Sequence, residues 1–314
     1  MIRPLAWVAL IVGGYFLPPL LGGATLIYNT LVVIAIFAVM AYGQDIVLSD
    51  LGEVSLAHTA FFATGAYAAG ILAVEYGWGA WATLAASCAA ALVLAVILGL
   101  ITLRAREFAF SLVTYAANVV CYTICYNWNA LGGSDGFVGV PPLDLSVPGL
   151  RLTALSNKDL WPYAYGLLVL TLYFVSRFRR SKLGHAALMV HMNAPLATMS
   201  GLDPGKVRLL VFMVSAPLTA LGGWLYAYQR AYVGPDLFET YFLVLMLTAV
   251  VLIGRRVLSG PLIGISVLMV QKSYLSFGAY FDKIVLGVVL VLVLCVFPGG
   301  VSGVLAAGWR RVRA

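Results

Sequence analysis

Long apolar runs separated by short polar segments follow one another along the whole chain. A helix that crosses the hydrocarbon core of a bilayer needs about 20 mainly apolar residues, because each residue adds about 1.5 Å. The pattern therefore predicts about 8–10 transmembrane helices, and ten candidate runs lie at 5–21, 25–44, 56–75, 81–103, 108–127, 161–176, 209–229, 238–254, 260–278 and 284–298. The first run lacks the small-residue cleavage site of a signal peptide, so we expect it to remain as a helix.

The composition points to lipid as the solvent for most of the chain. Of the 314 residues, 62% are hydrophobic and only 10% are charged, whereas a soluble domain has roughly 25% charged residues. The four cysteines lie inside apolar runs without a CxxC spacing, as small buried side chains do. The sequence therefore predicts an all-α integral membrane protein, a polytopic helical bundle that forms a single transmembrane domain over 1–314.

The basic residues, which give the chain a net charge of +7, lie in short clusters between the apolar runs. If both termini face the cytoplasm, 14 of the 19 basic residues lie on the inner side and 5 on the outer side. Cytoplasmic loops are enriched in Lys and Arg, so this is the expected orientation, with 128–160 as an outer loop and 177–208 as a cytoplasmic loop. No stretch combines basic and aromatic residues as nucleic-acid-binding surfaces do, so no nucleic-acid partner is expected.

One predicted inner loop, 43–58, fits this orientation poorly because it has three acids and no Lys or Arg. The acids are Asp45, Asp50 and Glu53. The orientation rule counts basic residues more than acidic ones, so the orientation stands. We expect 43–58 to be more than a simple loop.

Both long loops carry signals for short structured segments. In the outer loop, Pro141, Pro142 and Pro148 disfavour a long helix, and we expect a short segment on the outer face. In the cytoplasmic loop we expect one or two short helices, which Pro195 would start or kink and Asp203-Pro204-Gly205 would end.

Motifs for catalysis are absent from the sequence. There is no G-x-S-x-G, H-E-x-x-H or S-x-x-K nucleophile set, and there is no G-x-x-x-x-G-K-[ST] loop that would bind ATP. The histidines His58, His185 and His191 have no acids at a metal-ligand spacing. We therefore expect this chain to be no enzyme and to hold no metal or cofactor of its own.

Polar side chains recur among small and aromatic residues in segment 52–67. A polar group at membrane depth is costly unless it faces protein or a water-filled cavity. We therefore predict a broken or polar-faced helix that lines a translocation path, with the candidate residues Glu53, Ser55, His58, Thr59, Phe61 and Thr64. The alternative is that the hydroxyl groups bond back to their own helix and that Glu53 lies at the water interface.

Two further segments carry weaker signals. Gly260 and Gly264 have a GxxxG spacing, which predicts a tight inner turn and a helix that packs closely at an interface. An ordinary turn anchored by Arg255 and Arg256 is the alternative. Segment 194–202 is apolar but has basic flanks, so an exposed helix there needs a partner to cover it.

Six segments, taken in order, resemble one family of membrane proteins. Segment 52–67 is similar to that family's stretch G-x-x-S-L-G-H-A-A-F-F-G-x-G-A-Y, and 132–136 is similar to its T-G-G-S-D-G loop. The others are Ser181-Lys-Leu-Gly184, the set Phe212, Ser215, Gly222, Gly223, Leu225 and Tyr226, the pair Gly260-Pro261 with Gly264, and Phe297-Pro-Gly-Gly-Val-Ser-Gly303. With these motifs the chain resembles the permease subunits of branched-chain (hydrophobic) amino acid ABC importers, in the LivM-like branch of the LivH/LivM family.

The resemblance implies a type II importer-like permease in the bacterial inner membrane. It implies inward movement of a small polar or amphipathic solute, such as a branched-chain amino acid or a related amino acid, amide or urea. The implied partners are a homologous LivH-like permease subunit, two cytoplasmic ATPase subunits that bind ATP and Mg, a periplasmic solute-binding protein and membrane lipid.

The resemblance also assigns two contact surfaces. It places an ATPase-coupling loop at Gly184, His185, Ala194, Ala197 and Gly201, and a binding-protein contact at Gly132, Gly133, Ser134, Asp135 and Gly136. The chain departs from the family's pattern at His185 and His191, where arginine is usual, and at Glu53, where glutamine is common.

A self-contained secondary transporter or channel for a small solute is the main alternative. Such a protein is expected to show inverted repeats with broken helices, or ionisable groups deep in several helices. Neither inverted repeats nor ionisable groups deep in several apolar runs are found in the sequence. A membrane enzyme is a further alternative, for which no constellation of catalytic residues is found.

Overall fold

The computed structural model describes residues 12–102, 107–146, 152–274, 278–296 and Gly300. Its α-helices, in chain order, are α1 Leu17–Leu20, α2 Thr25–Asp45, α3 His58–Val74, α4 Ala80–Thr102, α5 Glu107–Asn127, α6 Asn157–Phe178, α7 Lys182–Met192, α8 Ala194–Met199, α9 Pro204–Arg230, α10 Thr240–Ile253, α11 Gly260–Tyr274 and α12 Ala279–Val296. The strands are β1 Phe137–Val138, β2 Leu143–Asp144, β3 Thr153–Ala154 and β4 Tyr232–Val233.

Nine of the ten predicted runs coincide with helices, from α2 to α6 and from α9 to α12. The first run lies partly outside the described residues, and its remainder holds the short α1. Within the described residues, four helices are long and apolar enough to cross a membrane: 25–51, α4, 108–127 and α9. The apolar helices α3 and α10 are shorter.

Helix boundaries differ from the predicted ones where capping residues extend a helix. Helix α6 begins at Asn157 because Ser156 and Asp159 form a reciprocal capping box ahead of the apolar run. Helix α9 begins at Pro204, where Asp203 accepts hydrogen bonds from the amides of Gly205 and Lys206 at 2.9 and 3.3 Å. The prediction that Asp203-Pro204-Gly205 ends a helix is therefore wrong, because Asp before Pro starts the next helix instead.

Helix α9 lies at the centre of the bundle and packs against α2, α3 and α4. Its contact with α3 is backbone to backbone: a methyl group on Gly223 would overlap the carbonyl oxygen of Phe62, and one on Gly65 would overlap that of Ala220. The hydroxyl of Ser87 in α4 also donates to the Gly65 carbonyl at 2.8 Å. Small residues at this contact thus let α3, which carries most of segment 52–67, and α9 approach each other closely.

The predicted inner segment 254–264 forms a tight turn between α10 and α11, as expected. Helix α11 begins at Gly260, and Gly264 lies directly on the Ala249 carbonyl of α10. The close contact at Gly264 is therefore made within this chain, and it anchors α11 to α10.

Short antiparallel ladders and two 3₁₀ turns replace a helix in the outer loop, as predicted, although Pro148 lies outside the described residues. Strand β1 pairs with β4, with Phe137 opposite Val233, and β2 pairs with β3. The outer loop is thereby joined to the segment that follows α9.

The cytoplasmic loop contains two short helices, α7 and α8, as predicted. Pro195 lies in the first turn of α8, whose start is capped by the Asn193 side chain accepting from the Leu196 amide at 3.0 Å. Helix α8 ends at Met199, and Gly201 follows its C-cap with a left-handed φ of +82° that glycine adopts without strain.

Helix α2 continues beyond its predicted end as a π-helix, Ile46–Leu51. The π-helix stops at Gly52, whose backbone is left-handed with φ 78°. The expectation that 43–58 is more than a simple loop is confirmed. π-Helical turns are rare and occur frequently at functional sites.

Candidate functional site

Two buried carboxylates at the end of α2 obtain their positive partner from the end of α6. Arg179 donates from Nη2 to Asp45 Oδ2 at 2.6 Å and from Nε to Asp50 Oδ2 at 3.1 Å. The side chains of Asp45 and Asp50 are 1% and 0% exposed. A buried charge is tolerated only when it is paired, so Arg179 is the group that makes this acidic segment compatible with burial.

Two more arginines complete what we call the inner ion-pair network, which is Asp45, Asp50, Glu53, Arg179, Arg208 and Arg256. Arg256, in the turn after α10, lies 3.5 Å from Asp50, and its carbonyl accepts from Arg179 at 3.0 Å. Arg208, in the first turns of α9, lies 2.5 Å from Glu53. The network therefore joins α2, α6, α9 and the α10–α11 turn.

The predicted coupling loop packs directly on this network. A methyl group on Gly52 would overlap the imidazole ring of His191, the penultimate residue of α7. A methyl group on Gly184 would overlap the Phe178 carbonyl, which holds α7 against the end of α6. Helix α7 is thus in direct contact with the end of the π-helix and with the end of α6 that carries Arg179.

The five residues that the resemblance assigns to the ATPase-coupling loop include both buried and exposed positions in and after α7 and α8. Gly184 and Ala197 are buried, Ala194 is half-buried, and His185 and Gly201 are exposed. Next to them, large apolar side chains face outward and form what we call the inner apolar ridge: Met192 is 76% exposed, Leu196 58% and Met199 86%. Such an exposed ridge is typical of a surface that another protein covers.

Behind the network, polar side chains of α3 meet those of α5 and α9 in what we call the polar core: Ser55, His58, Thr59, Asn118 and Ser215. His58 Nδ1 lies 3.0 Å from Ser55 Oγ, and His58 Nε2 lies 3.3 Å from Ser215 Oγ. Thr59 donates to Asn118 Oδ1 at 2.9 Å, and Asn118 donates to the Phe238 carbonyl at 3.1 Å.

Of the six pathway candidates, Ser55, His58 and Thr59 lie in the polar core and Glu53 lies in the inner network. Phe61 is buried against His58 and Phe212, with ring centroids 5.5 and 5.1 Å apart, and Thr64 is half-buried. The hydroxyl of Thr59 bonds to another helix, so back-bonding to its own helix does not describe it. Glu53 is 5% exposed and paired with Arg208, so it does not lie at an open water interface. Their role in a pathway stays a prediction.

Sequence analysis missed Asn118 in the polar core. Asn118 has an amide side chain in the middle of the apolar run 108–127. A polar side chain so deep in an apolar run is the signal that could have identified it as a functional candidate. Its side chain is only 2% exposed and connects α3, α5 and the segment before α10. Ser215 was noticed only for its resemblance to a family motif.

At the other end of the bundle, residues of α2, α9, α10, α11 and α12 line the open outer cavity, which has a volume of about 740 Å³. Its base is apolar, since Phe37, Phe242 and Met269 are 4%, 9% and 5% exposed. Its mouth has two ion pairs, Arg230–Asp236 at 3.3 Å and Lys283–Glu239 at 2.9 Å.

A second cavity of about 650 Å³ lies on the other side of these ion pairs and reaches Asn118. The two cavities share Asp236, Glu239, Tyr241 and Lys283. Burial raises the pKa of the Asp236 carboxyl above its ordinary value, although the neighbouring Arg230 guanidinium opposes that rise.

The glycine-rich outer motif 132–136 packs against β4. A methyl group on Gly136 would overlap the Val233 carbonyl, and Ser134 borders the second cavity. Asp135 is exposed and accepts from the Ser134 hydroxyl at 3.1 Å. Its contact with a binding protein stays a prediction. In the described part of the chain, no three His, Cys, Asp or Glu side chains are grouped to hold a metal ion.

Comparisons with known proteins agree with the resemblance noted in the sequence. LivM, the high-affinity branched-chain amino acid transport system permease protein of Escherichia coli (strain K12), is 25% identical over 287 residues, or 84% of this chain and 67% of that protein. The LivM permease of Salmonella typhimurium is 24% identical over 285 residues, with the same shares. No solved structure matches the chain significantly.

A family model described as the permease component of branched-chain amino acid transport systems matches residues 26–294. The match confirms both the LivM-like resemblance and the all-α, multi-pass membrane bundle that the apolar runs predict. Because it spans most of the sequence, the chain belongs to the permease-component family of branched-chain amino acid transport systems.

Proposed function

We propose that this chain is the membrane-spanning subunit of an ABC importer that moves a branched-chain amino acid, or a related small amphipathic solute, inward. The observation that carries the proposal is the exposed inner apolar ridge, joined by contact to a buried network of ion pairs that lies just before helix α3. The sequence has no ATP-binding motif of its own, so the force for transport comes from other subunits.

The inner apolar ridge supports an ATPase partner. Met192, Leu196 and Met199 project from short helices on the predicted cytoplasmic side, where lipid does not cover them. A helix with exposed apolar side chains is recognised by docking into a groove of a partner protein. Flexible Met side chains fit such a surface well. Two cytoplasmic ATPase subunits, one on this chain and one on a homologous permease subunit, would provide the grooves.

The inner ion-pair network supports mechanical coupling. Asp50 has two arginine partners on different elements, Arg179 at 3.1 Å and Arg256 at 3.5 Å. A shift of α7, which packs on Gly52, changes the geometry of both pairs at once. A packed interface with two discrete arrangements converts a small displacement into a switch. In this proposal, the ATPases drive that switch through α7 and α8.

The polar core supports a route for solute next to the switch. Ser55 and His58 follow Gly52 within a few residues, so motion of the π-helix reaches them directly. Polar groups at this depth mark translocation paths when they face water. In the present conformation Ser55, His58 and Thr59 are fully buried. In this proposal, a path along them opens when the helices around the polar core move apart.

The remaining parts of the proposal follow from the family. A homologous permease subunit completes the membrane unit, and a periplasmic binding protein delivers the solute to the outer motif 132–136. The assembly lies in a bacterial inner membrane with both termini of this chain in the cytoplasm. The excess of Lys and Arg in the predicted inner segments supports that orientation.

The proposal is tested by purifying the chain with its partner subunits and measuring ATP hydrolysis in proteoliposomes. Addition of binding protein with a branched-chain amino acid should stimulate hydrolysis. Met199→Gln should weaken the stimulation, because it removes apolar area from the ridge. Ile101→Gln, at a residue 63% exposed in the last turn of α4 and outside both the ridge and the outer loop, is the matched control and should leave it unchanged. Copurification of no ATPase subunit, or an equal effect of both changes, would count against the proposal.

A further inference from the structure

The outer cavity has the size of a small-molecule site and is open on one side. Side chains from five helices line its volume of about 740 Å³. Ligand sites in proteins occupy roughly 300–1,000 Å³ and are mostly apolar, with a few polar groups that fix orientation. It lies at the predicted outer end of the bundle, since it borders the end of α9 and the start of α12.

The base of the cavity suits an aliphatic side chain. Val33 is half-buried there, and Phe37, Phe242 and Met269 are almost fully buried. The rings of Phe37 and Phe242 lie 5.6 Å apart, and they back onto Phe62 of segment 52–67. Burying an aliphatic side chain against such a surface is favourable because it removes apolar area from water.

The mouth of the cavity presents both signs of charge side by side. Arg230 pairs with Asp236 and Lys283 pairs with Glu239, and these four side chains are 38–51% exposed. The Lys272 ammonium also faces the cavity and lies 4.7 Å from the centroid of the Tyr241 ring.

Half-exposed ion pairs contribute little to stability because water screens them, so a ligand that carries both charges can exchange with them at little cost. A cation alone or an anion alone would leave one partner of each pair without its counter-charge. The chemistry of the mouth therefore favours a zwitterion, and the base favours an apolar side chain on it.

We propose that the outer cavity of this single chain is a binding site for a free α-amino acid with an apolar side chain. The ammonium and carboxylate groups of the ligand exchange with the two ion pairs at the mouth, and the side chain packs on Phe37 and Phe242. The inference rests on the proposed function, and it places an acceptor site for the solute within this subunit, on the outer side of the polar core.

The first test uses thiol protection in the complete complex. Ser273→Cys places a thiol at the cavity wall, in a chain whose four native cysteines are replaced by alanine. A polar maleimide should label it, and L-leucine should slow the labelling. At ten times the dissociation constant the free fraction of sites is about one in 11, so the rate should fall about 10-fold.

Controls define the class of ligand. 4-Methylpentanoate lacks the ammonium group and 3-methylbutylamine lacks the carboxylate, and neither should protect at the same concentration. Leu155→Cys, on the outer loop, should be labelled at a rate that L-leucine does not change. Failure to label Ser273→Cys, absence of protection by L-leucine, or equal protection by the two analogues would each overturn the proposal.

The second test fills the cavity. Val33→Trp places an indole in the cavity, and Val93→Trp makes the same change at a residue 60% exposed on α4. Val33→Trp should remove the protection by L-leucine and lower uptake at least about 10-fold, the change expected for a loss of roughly 1.4 kcal/mol in binding. Val93→Trp should leave both unchanged.

The two proposals fail in different ways. If the wild-type complex shows ATP-driven uptake while Val33→Trp takes up solute normally, the cavity proposal is wrong and the importer function stands. If L-leucine protects Ser273→Cys but the wild-type complex shows no ATP-dependent uptake, the binding site stands and the importer function is wrong.

Discussion

Replacing Arg179 by methionine removes the central cation of the inner ion-pair network while keeping a long apolar stem. Arg179 donates to Asp45, to Asp50 and to the Arg256 carbonyl. After the change, Asp45 keeps the hydroxyl of Ser49, 2.5 Å away, as a hydrogen-bond donor. Asp50 keeps Arg256 at 3.5 Å. One buried carboxylate therefore loses its counter-charge and the other retains a weaker one.

The expected cost follows from burial. Breaking a buried ion pair by removing one partner destabilises proteins by about 3–5 kcal/mol. Arg179 is 10% exposed and Asp50 keeps a second arginine, so we expect a loss near the lower limit, about 3 kcal/mol. That is a large share of a typical stability of about 5–15 kcal/mol. Asp45→Asn in the same chain removes the unpaired charge and should restore at least about 1 kcal/mol of this loss.

The assay is unfolding of the purified chain in mixed micelles by titration with dodecyl sulfate. Arg177→Met is the matched control, because Arg177 is an exposed residue at the end of the same helix. We expect it to change the free energy of unfolding by less than about 0.5 kcal/mol. Equal losses for Arg179→Met and Arg177→Met, or no recovery with Asp45→Asn, would refute the reasoning that the network stabilises the inner end.

Three further predictions concern close contacts and access. Gly52→Ala should lower ATP-driven uptake well below that of Gly77→Ala. Both changes place alanine at a left-handed φ, which costs about 1–2 kcal/mol, but only the first also displaces the imidazole ring of α7. Gly264→Ala should lower the thermal stability of the purified chain, because its methyl group overlaps a backbone carbonyl of α10. Gly166→Ala has open space in mid-helix and should raise it by up to about 1 kcal/mol. Ser55→Cys, which is fully buried, should resist a polar thiol reagent in the resting complex and react during ATP turnover; equal reactivity in both states would contradict a gated path.

Sequence was sufficient for elements that depend on local pattern. The apolar runs predicted α2 to α6 and α9 to α12. The length and hydropathy of a segment are enough to predict whether it can form a helix in the bilayer. Pro195 marked the first turn of α8, as expected. The error at Asp203-Pro204-Gly205 arose because a Pro-Gly pair marks a helix end as readily as an Asp-Pro pair marks a helix start.

Sequence was insufficient where distant segments meet. Arg179 lies 134 positions from Asp45, and Thr59 lies 59 positions from its partner Asn118. No local pattern records such pairs, so the acids of 43–58 looked unbalanced until packing supplied their cations. The outer cavity was missed for the same reason, since its walls come from five helices spread along the chain.

The central claim is that solute moves through this chain only when attached subunits hydrolyse ATP. The most direct measurement is uptake of labelled L-leucine into proteoliposomes that hold the complete complex, with ATP trapped inside and binding protein outside. Uptake should require ATP and should persist when ionophores remove all ion gradients. Uptake by this chain alone, driven by an ion gradient without ATP, would contradict the account and identify a secondary transporter.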